Sequence, residues 1–161
     1  MPAPPTPTPP ELRVLAPADL RPMRQLLDVF GTAFGEPAAD AALRPGDAYL
    51  EQLLGSPTFV AIAALEAGTV VGGLAGYVLP KFEQERSEFY IYDLAVAEAH
   101  RRRGIATALI QRLRRLCAQR GIYVIFVQAD HGDDPAIALY SGLGIREDVL
   151  HFDIAPADGA D

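Results

Sequence analysis

The sequence predicts one α/β (α+β) domain over residues 11–155, and three observations carry that reading. Runs of β-branched and aromatic residues alternate with runs whose apolar residues recur at helical spacing. Glycine and proline fall mostly where those runs begin and end. The chain has 161 residues, 50% of them hydrophobic, which suits one core of ordinary size. No repeat and no internal linker interrupts it. The predicted order is β-α-α-β-β-β-α-β-α-β.

The chain opens on MPAPPTPTPP, where proline removes backbone donors. Residues 1–10 are expected to form a disordered tail, and residues 156–161 to fray. Leu12–Ala16 reads as the first strand. In ADLRPMRQLLDVFGTAFG, Leu20, Met23, Leu27, Phe30 and Phe34 recur near one helical face. Asp19 is the candidate N-cap, Pro22 fits the first turn, and Gly35 is the stop. GDAYLEQLLGS follows as a short helix that carries Leu50, Leu53 and Leu54 inward. From Thr58 two β-rich runs flank Glu66-Ala67-Gly68, a hairpin signal. EFYIYDLAV is the next strand. From Arg103 to Arg120 the residues Ala106, Leu109, Ile110, Leu113, Leu116 and Cys117 repeat at helical spacing, and Gly121 ends the helix. IYVIFVQ is nearly continuous in apolar residues, the pattern of a strand covered on both faces. DPAIALYSGLG reads as a short helix with proline in its first turn. VLHFDI reads as the last strand.

Formal net charge is −7. That balance argues against a general nucleic-acid surface and favours a polycationic small-molecule partner. Acidity also serves solubility alone. Cys117 is the only cysteine, so an intrachain disulfide and a cysteine-rich structural zinc site are excluded. It reads as a small buried hydrophobe, and no metal site is expected. No apolar run approaches the roughly 20 residues of a membrane span, and no signal segment is evident, so a cytoplasmic location is expected.

Against that acidity stands HRRRGIATAL, which packs positive charge and a glycine where a strand ends and a helix opens. A helix N-terminus presents free N–H groups and a positive dipole end. A glycine there lets the backbone approach a ligand without a Cβ in the way. Together these suit an anion such as a pyrophosphate. A solvated turn would carry the same residues, and no Walker loop is present.

RRRGIA (Arg101–Ala106) resembles the Arg/Gln-x-x-Gly-x-Gly/Ala signature of the GNAT superfamily of N-acetyltransferases, with Arg101, Gly104 and Ala106 in the motif positions. The preceding DLAV is similar to that family's strand before the signature, and ALYSGLGI to its later segment. Leu79–Ile154 more narrowly resembles the type I aminoglycoside 3-N-acetyltransferases, the gentamicin-acetylating branch. Arg103 stands where glutamine is expected in close relatives. The resemblance implies the GNAT fold, a mixed and mostly antiparallel central sheet flanked by helices, and often a homodimer.

It also implies a reaction: direct attack of a substrate amine on acetyl-CoA, without an acyl-enzyme. Arg101, Arg102, Arg103 and Gly104, with Ile105, Ala106 and Thr107, would cradle the pyrophosphate. The backbone of Leu94, Ala95 and Val96 would pair with the pantetheine arm, and the Leu94 amide would stabilise the oxyanion. Tyr140 would be the acid for the departing thiolate. Asp93 is the candidate general base or amine-positioning carboxylate, since a charge interrupting an apolar strand is costly unless used. Read from the residues alone, it is equally an edge-strand charge facing water.

Substrate cations would meet Asp93, then Asp130, Asp133 and Asp134 in QADHGDDP, with Glu83, Glu85 and Glu88 adding negative charge. Singly, each of the loop carboxylates reads as a solvated side chain, or as an N-cap for Asp134 before Pro135. His100, His131 and His151 read as solvent-facing. The expected activity is acetyl transfer to the 3-amine of 2-deoxystreptamine aminoglycosides, and hence antibiotic resistance. The alternatives are an acetyltransferase for a polyamine or protein amine, and a non-catalytic acyl-CoA sensor.

Overall fold

The computed structural model describes Met1, residues 7–36 and residues 44–157. Most of the expected proline-rich tail, at residues 2–6, and the last four residues of the expected frayed tail lie outside the described residues. Two compact units are present, Met1–Gln128 and Ala129–Asp161.

The first unit is a mixed sheet with helices. Its elements are β1 (Glu11–Val14), α1 (Leu20–Ala33), α2 (Asp47–Leu54), β2 (Phe59–Glu66), β3 (Thr69–Pro80), β4 (Ser87–Val96), a 3-10 turn (Glu98–His100), α3 (Ile105–Gln119) and β5 (Ile122–Val127). The strand order is β1-β2-β3-β4-β5. The first three pairings are antiparallel and β4–β5 is parallel. A mixed, mostly antiparallel sheet is the expectation from sequence, and it holds.

β2 is the strand that is covered on both faces. Phe59, Ala61, Ala63 and Leu65 join one buried cluster with Met23, Leu26 and Phe30 of α1 and Leu50 and Leu54 of α2. By strand alternation Val60, Ile62 and Ala64 point the other way, and they are equally buried. On that other side α3 packs against the sheet with Ile105, Leu109, Leu113 and Cys117 inside. The continuous apolar run expected to mark β5 as doubly covered is therefore misleading there. β5 is the last strand of the sheet, and Tyr123, Val124 and Phe126 are 46%, 39% and 37% exposed.

Other details also differ from the sequence expectation. The buried face of α1 runs through Met23, Leu26 and Phe30, whereas Phe34 is half exposed. Asp19 stands at the N-cap position, but its carboxylate accepts from the Ala16 N–H (2.8 Å) rather than from a helix amide. The hairpin holds: Ala67 and Gly68 both have positive φ (48° and 79°), the combination a two-residue loop needs to match strand twist.

β4 departs from regularity at one place. Ala75 pairs with Asp93 and Gly76 with Ile91, so Tyr92 is the extra residue of a β-bulge. The bulge reverses the facing of the strand. Phe89 and Ile91 lie outside the α1/α2 cluster, but Ala95 lies within it. Opposite the bulge, a Cβ on Gly76 would stand 2.1 Å from the Tyr90 carbonyl oxygen and 2.6 Å from a Phe89 ring carbon.

The second unit holds α4 (Asp134–Ser141). Its N-cap is Asp133, whose carboxylate accepts from the Ala136 N–H at 3.2 Å, so the cap lies one residue before the expected Asp134. The expected closing strand VLHFDI is not formed: residues 145–157 carry no regular structure. Within it His151 contacts Asp153 at 3.0 Å.

Gly76→Ala should destabilise the fold by about 1–3 kcal/mol, the usual cost of forcing an atom into a filled site, seen as a lower urea midpoint with an unchanged slope. A midpoint equal to that of the parent protein would mean that the strands separate freely at the bulge.

Candidate functional site

The site begins where β5 leaves β4. The parallel pairing runs from Ser87↔Ile122 to Ile91↔Val127 and stops, while β4 stays paired with β3 as far as Val96↔Gly72. From Tyr92 to Val96, β4 therefore has a strand neighbour on one side only among the described residues. This free edge contains Leu94, Ala95 and Val96, the residues expected to pair with an extended ligand.

At the end of β4 the chain turns through Ala97–Gly104 into α3. The Ala97 N–H donates to the Val71 carbonyl (2.8 Å), and Arg101 Nε donates to the Val96 carbonyl (3.0 Å). Arg102 and Gly104 have φ of +60° and +75°. Gly104 is the N-cap of α3, and a Cβ there would meet nothing within 4 Å. Its role is backbone conformation and open approach, not packing. The first bond of α3 runs from the Ala108 N–H to the Gly104 carbonyl at 3.0 Å. The amides of Ile105, Ala106 and Thr107 thus have no acceptor within the helix and are free for an anion. Of the three arginines, Arg101 holds the strand end and Arg103 binds Glu66, leaving Arg102 as an exposed cation.

Asp93 directly succeeds the bulge and is half buried. Burial, and then the charge of Glu36, hold its carboxyl above the usual aspartate range. Glu36 lies just past α1, fixed by its N–H donating to the Gly31 carbonyl at 2.8 Å. The charge of Glu36 therefore acts on Asp93, and among the described residues neither has a cation paired to it.

Aromatic rings cross the same strands. Phe59 meets Tyr77 (5.4 Å between centroids), Tyr77 meets Tyr92 (6.0 Å), Tyr92 meets Tyr90 (5.7 Å), and Tyr90 stacks on Phe126 (4.8 Å). Burial first raises the Tyr77 and Tyr90 phenols, then Tyr92 (after Tyr49 in the case of Tyr77) and then the Asp93 charge, which puts this ladder beside the carboxylate. Tyr92 is 64% exposed. Sequence reasoning singles out neither Glu36 nor the tyrosines. The i, i+2 pair Tyr90 and Tyr92 is a visible signal, because both must stand near each other on a strand.

The other expected carboxylates divide. Glu83 and Glu88 are already engaged: Lys81 Nζ lies 3.3 Å and 3.5 Å from them, and Tyr123 donates to Glu88. Arg86, whose guanidinium lies 4.0 Å over the Tyr123 ring, also reaches Glu83 at 3.9 Å. Glu85 is exposed. In the second unit Asp130, Asp133, Asp134 and His131 are all exposed, and Asp133 caps α4. Tyr140, on α4, has its phenol raised by burial and by Asp133, so the hydroxyl keeps its proton. Among the described residues no group of three or more metal-binding side chains is assembled, and no helix is long and apolar enough to cross a membrane.

The family model described as "Acetyltransferase (GNAT) family" matches residues 23–145. Among solved structures, an aminoglycoside acetyltransferase from an uncultured soil metagenomic sample is 59% identical, with 91% of this chain and 98% of that one covered and a TM-score of 0.88. A second one, also from an uncultured soil metagenomic sample and solved with sisomicin, is 32% identical over 91% of this chain and 95% of that one, with a TM-score of 0.83. An N-alpha-acetyltransferase of Sulfurisphaera tokodaii is 31% identical over 53% of this chain, and the match spans 58% of that relative's length.

A carboxylate whose pKa is raised by folding costs stability once it ionises. Below the ordinary aspartate pKa both folded and unfolded states are protonated and the cost is absent. It appears as pH rises through the raised folded value and is complete above it. Asp93→Asn should therefore be more stable than the parent at neutral pH, with the difference vanishing in acid. Equal stability at every pH by urea unfolding would show that Asp93 is an ordinary solvated carboxylate.

Proposed function

Because the chain belongs to the GNAT family of acetyltransferases, we propose that it transfers the acetyl group of acetyl-CoA to an aminoglycoside, at the 3-amino group of the 2-deoxystreptamine ring as in the gentamicin class, and so confers resistance. The observation that carries this reading is the 59% identity, over 91% of the chain, with an aminoglycoside acetyltransferase. The local geometry supports it. The free β4 edge, the unpaired amides of α3 and the missing Cβ at Gly104 fit a long ligand that carries a pyrophosphate. The family match crosses both units, which supports one catalytic domain over residues 11–155.

Acetyl-CoA supplies the acetyl group as an activated thioester. Ile105, Ala106 and Thr107 donate backbone hydrogen bonds to its phosphates, with Arg102 adding charge. Leu94, Ala95 and Val96 pair with the pantetheine arm as an added strand, and the Leu94 N–H donates to the oxygen on which negative charge develops. Asp93 takes the proton of the attacking amine. Its raised pKa brings it nearer the working pH than an ordinary aspartate. Tyr140 gives its proton to the leaving thiolate.

A polycation is held by charge and by rings. Asp93 and Glu36 supply carboxylates that have no cationic partner among the described residues, and Tyr77, Tyr90 and Tyr92 offer ring faces to ammonium groups. Asp130 and Asp134 are further exposed carboxylates, in the second unit, that a polycation would meet, whereas Glu83 and Glu88 already share Lys81. A protein α-amine is the second reading, favoured by the Sulfurisphaera tokodaii relative. The reaction belongs in the cytoplasm, where acetyl-CoA is. The chain works as a homodimer. Support comes from the second unit, where Ile145, Val149, Leu150, Phe152 and Ile154 are all exposed, an apolar run that a second copy would cover.

Thiol release from acetyl-CoA with gentamicin, with a peptide bearing a free N-terminus and with a polyamine separates these readings. Mapping the acetylated nitrogen decides the position. Turnover on the peptide alone would overturn the aminoglycoside assignment. Tyr140→Phe should lower kcat by about a hundredfold or more while the KM for acetyl-CoA stays put, in the range for losing a positioned proton donor. Asp93→Asn should lower kcat and remove the acid limb of the kcat/KM profile.

The KM for the aminoglycoside should rise with salt, since attraction is screened over about 8–10 Å near physiological ionic strength. Asp133→Asn with Asp134→Asn should flatten that rise and leave α4 capped, because asparagine caps as well as aspartate. A double variant with the full salt slope would remove this loop from the cation-binding wall.

A further inference from the structure

The loop before α3 is held at its two ends by different means. Near β4 it is tied by backbone bonds from Ala97 and by Arg101 on the Val96 carbonyl. Near α3 the chain passes through Arg102 and Gly104, both with positive φ, and Arg102 bears a steric cost there that glycine does not. A side chain from outside the loop fixes this second end. Glu66, the last residue of β2, receives Arg103 through both oxygens: Nη2 to Oε1 at 2.5 Å and Nη1 to Oε2 at 3.3 Å. His100, in the 3-10 turn, stands 2.9 Å from Arg103 Nη1 and 3.1 Å from Glu66 Oε2 through its Nδ1. Glu66 is held below the usual carboxylate range, first by the Arg103 hydrogen bond and then, beyond the cost of burial, by the charges of Arg103 and His100.

We propose that Glu66 is a positioning residue for the acetyl-CoA phosphates, acting through Arg103 and His100 to hold the loop whose amides would receive them. The inference rests on the reading of Arg101–Thr107 as the phosphate cradle. Glu66 is anionic and lies on the hairpin next to the cradle, so it acts on the loop and not on the ligand. A bidentate carboxylate–guanidinium pair fixes both distance and orientation, which a single lysine contact would not. Arg103 is one residue before Gly104, so anchoring it sets the direction in which α3 begins. Its guanidinium is engaged by Glu66, and its contribution to the ligand is the placement of backbone. The arginine that stands where the resemblance expects glutamine has here a carboxylate partner that a neutral amide could not match in charge.

The test compares the parent protein, Glu66→Gln, Glu66→Arg, Arg103→Glu and the exchanged pair Glu66→Arg with Arg103→Glu. Affinity for CoA is measured by calorimetry, steady-state rates by thiol release, and folding by thermal unfolding. Glu66→Gln should raise the Kd for CoA and the KM for acetyl-CoA together, by about three- to tenfold, with kcat within twofold of the parent. Each single charge reversal should weaken CoA further, and the exchanged pair should recover most of the loss. A Kd in Glu66→Gln equal to the parent value, or an exchanged pair no better than its single variants, would overturn the proposal. So would a fall in thermal stability with CoA affinity intact, which would make the pair a fastening of the hairpin only. If the parent protein itself fails to bind CoA, the cradle reading fails first, and that result is distinct from all of these.

Discussion

β4 serves two neighbours that make different demands, and the rest of the candidate site depends on how it satisfies them. With β3 it forms an antiparallel ladder over its full length, and with β5 a parallel ladder that ends at Ile91. β4 parts from β5 directly before the bulge, where a change of twist turns one strand away from a neighbour while the other pairing continues. The bulge at Tyr92 supplies that change, since an extra residue bends a strand and increases its local twist. The same residue reverses the facing of the remainder of β4. Asp93 comes to the side where Ala95 meets the α1/α2 cluster, and the backbone from Tyr92 to Val96 is left with a free edge. Gly76 is the counterpart on β3, because only a residue without a side chain leaves room for the Tyr90 carbonyl.

Charge is arranged by neutralising most carboxylates near the sheet and leaving a few alone. Glu66 has Arg103, and Glu83 and Glu88 share Lys81. These pairs are partly exposed and contribute little to overall stability, but each removes a carboxylate from competition for a cationic ligand. Asp93 has no such partner: burial raises its carboxyl first, and the charge of Glu36 adds to the effect. Proteins keep such uncompensated groups where they are used. The net charge of −7 is therefore a poor guide to the site by itself, since the charges that count are those without partners.

Much of this is legible in the residues, and the exceptions have physical causes. The helix α3, the Ala67-Gly68 turn and the break at Gly104 arise from local rules that tertiary contacts do not override. The doubly covered strand is misassigned from sequence because a continuous apolar run states only that a strand is apolar: β2 and β5 look alike in sequence, and only the sheet order makes one central and the other terminal. The α1 face is turned by about one position because Leu26 and Leu27 are equally apolar, and packing chose Leu26. VLHFDI has the composition of a strand, but strands need neighbours, and the described residues give it none. Asp93 is legible as a charge out of place. Glu36 is not, because its relation to Asp93 spans distant segments that only the sheet and α1 bring together.

Cys117 is the one thiol of the chain, 3% exposed within α3, and burial pushes its pKa up to about 11. Thiol reagents react with the thiolate, and access matters as much as ionisation. At neutral pH the folded protein is therefore almost silent toward a chromogenic disulfide. Colour that develops in such a mixture reports free coenzyme A with no background from the polypeptide, and a slow extra signal on warming would report α3 opening. The same seclusion makes the chain resistant to inactivation by oxidants that attack exposed cysteines.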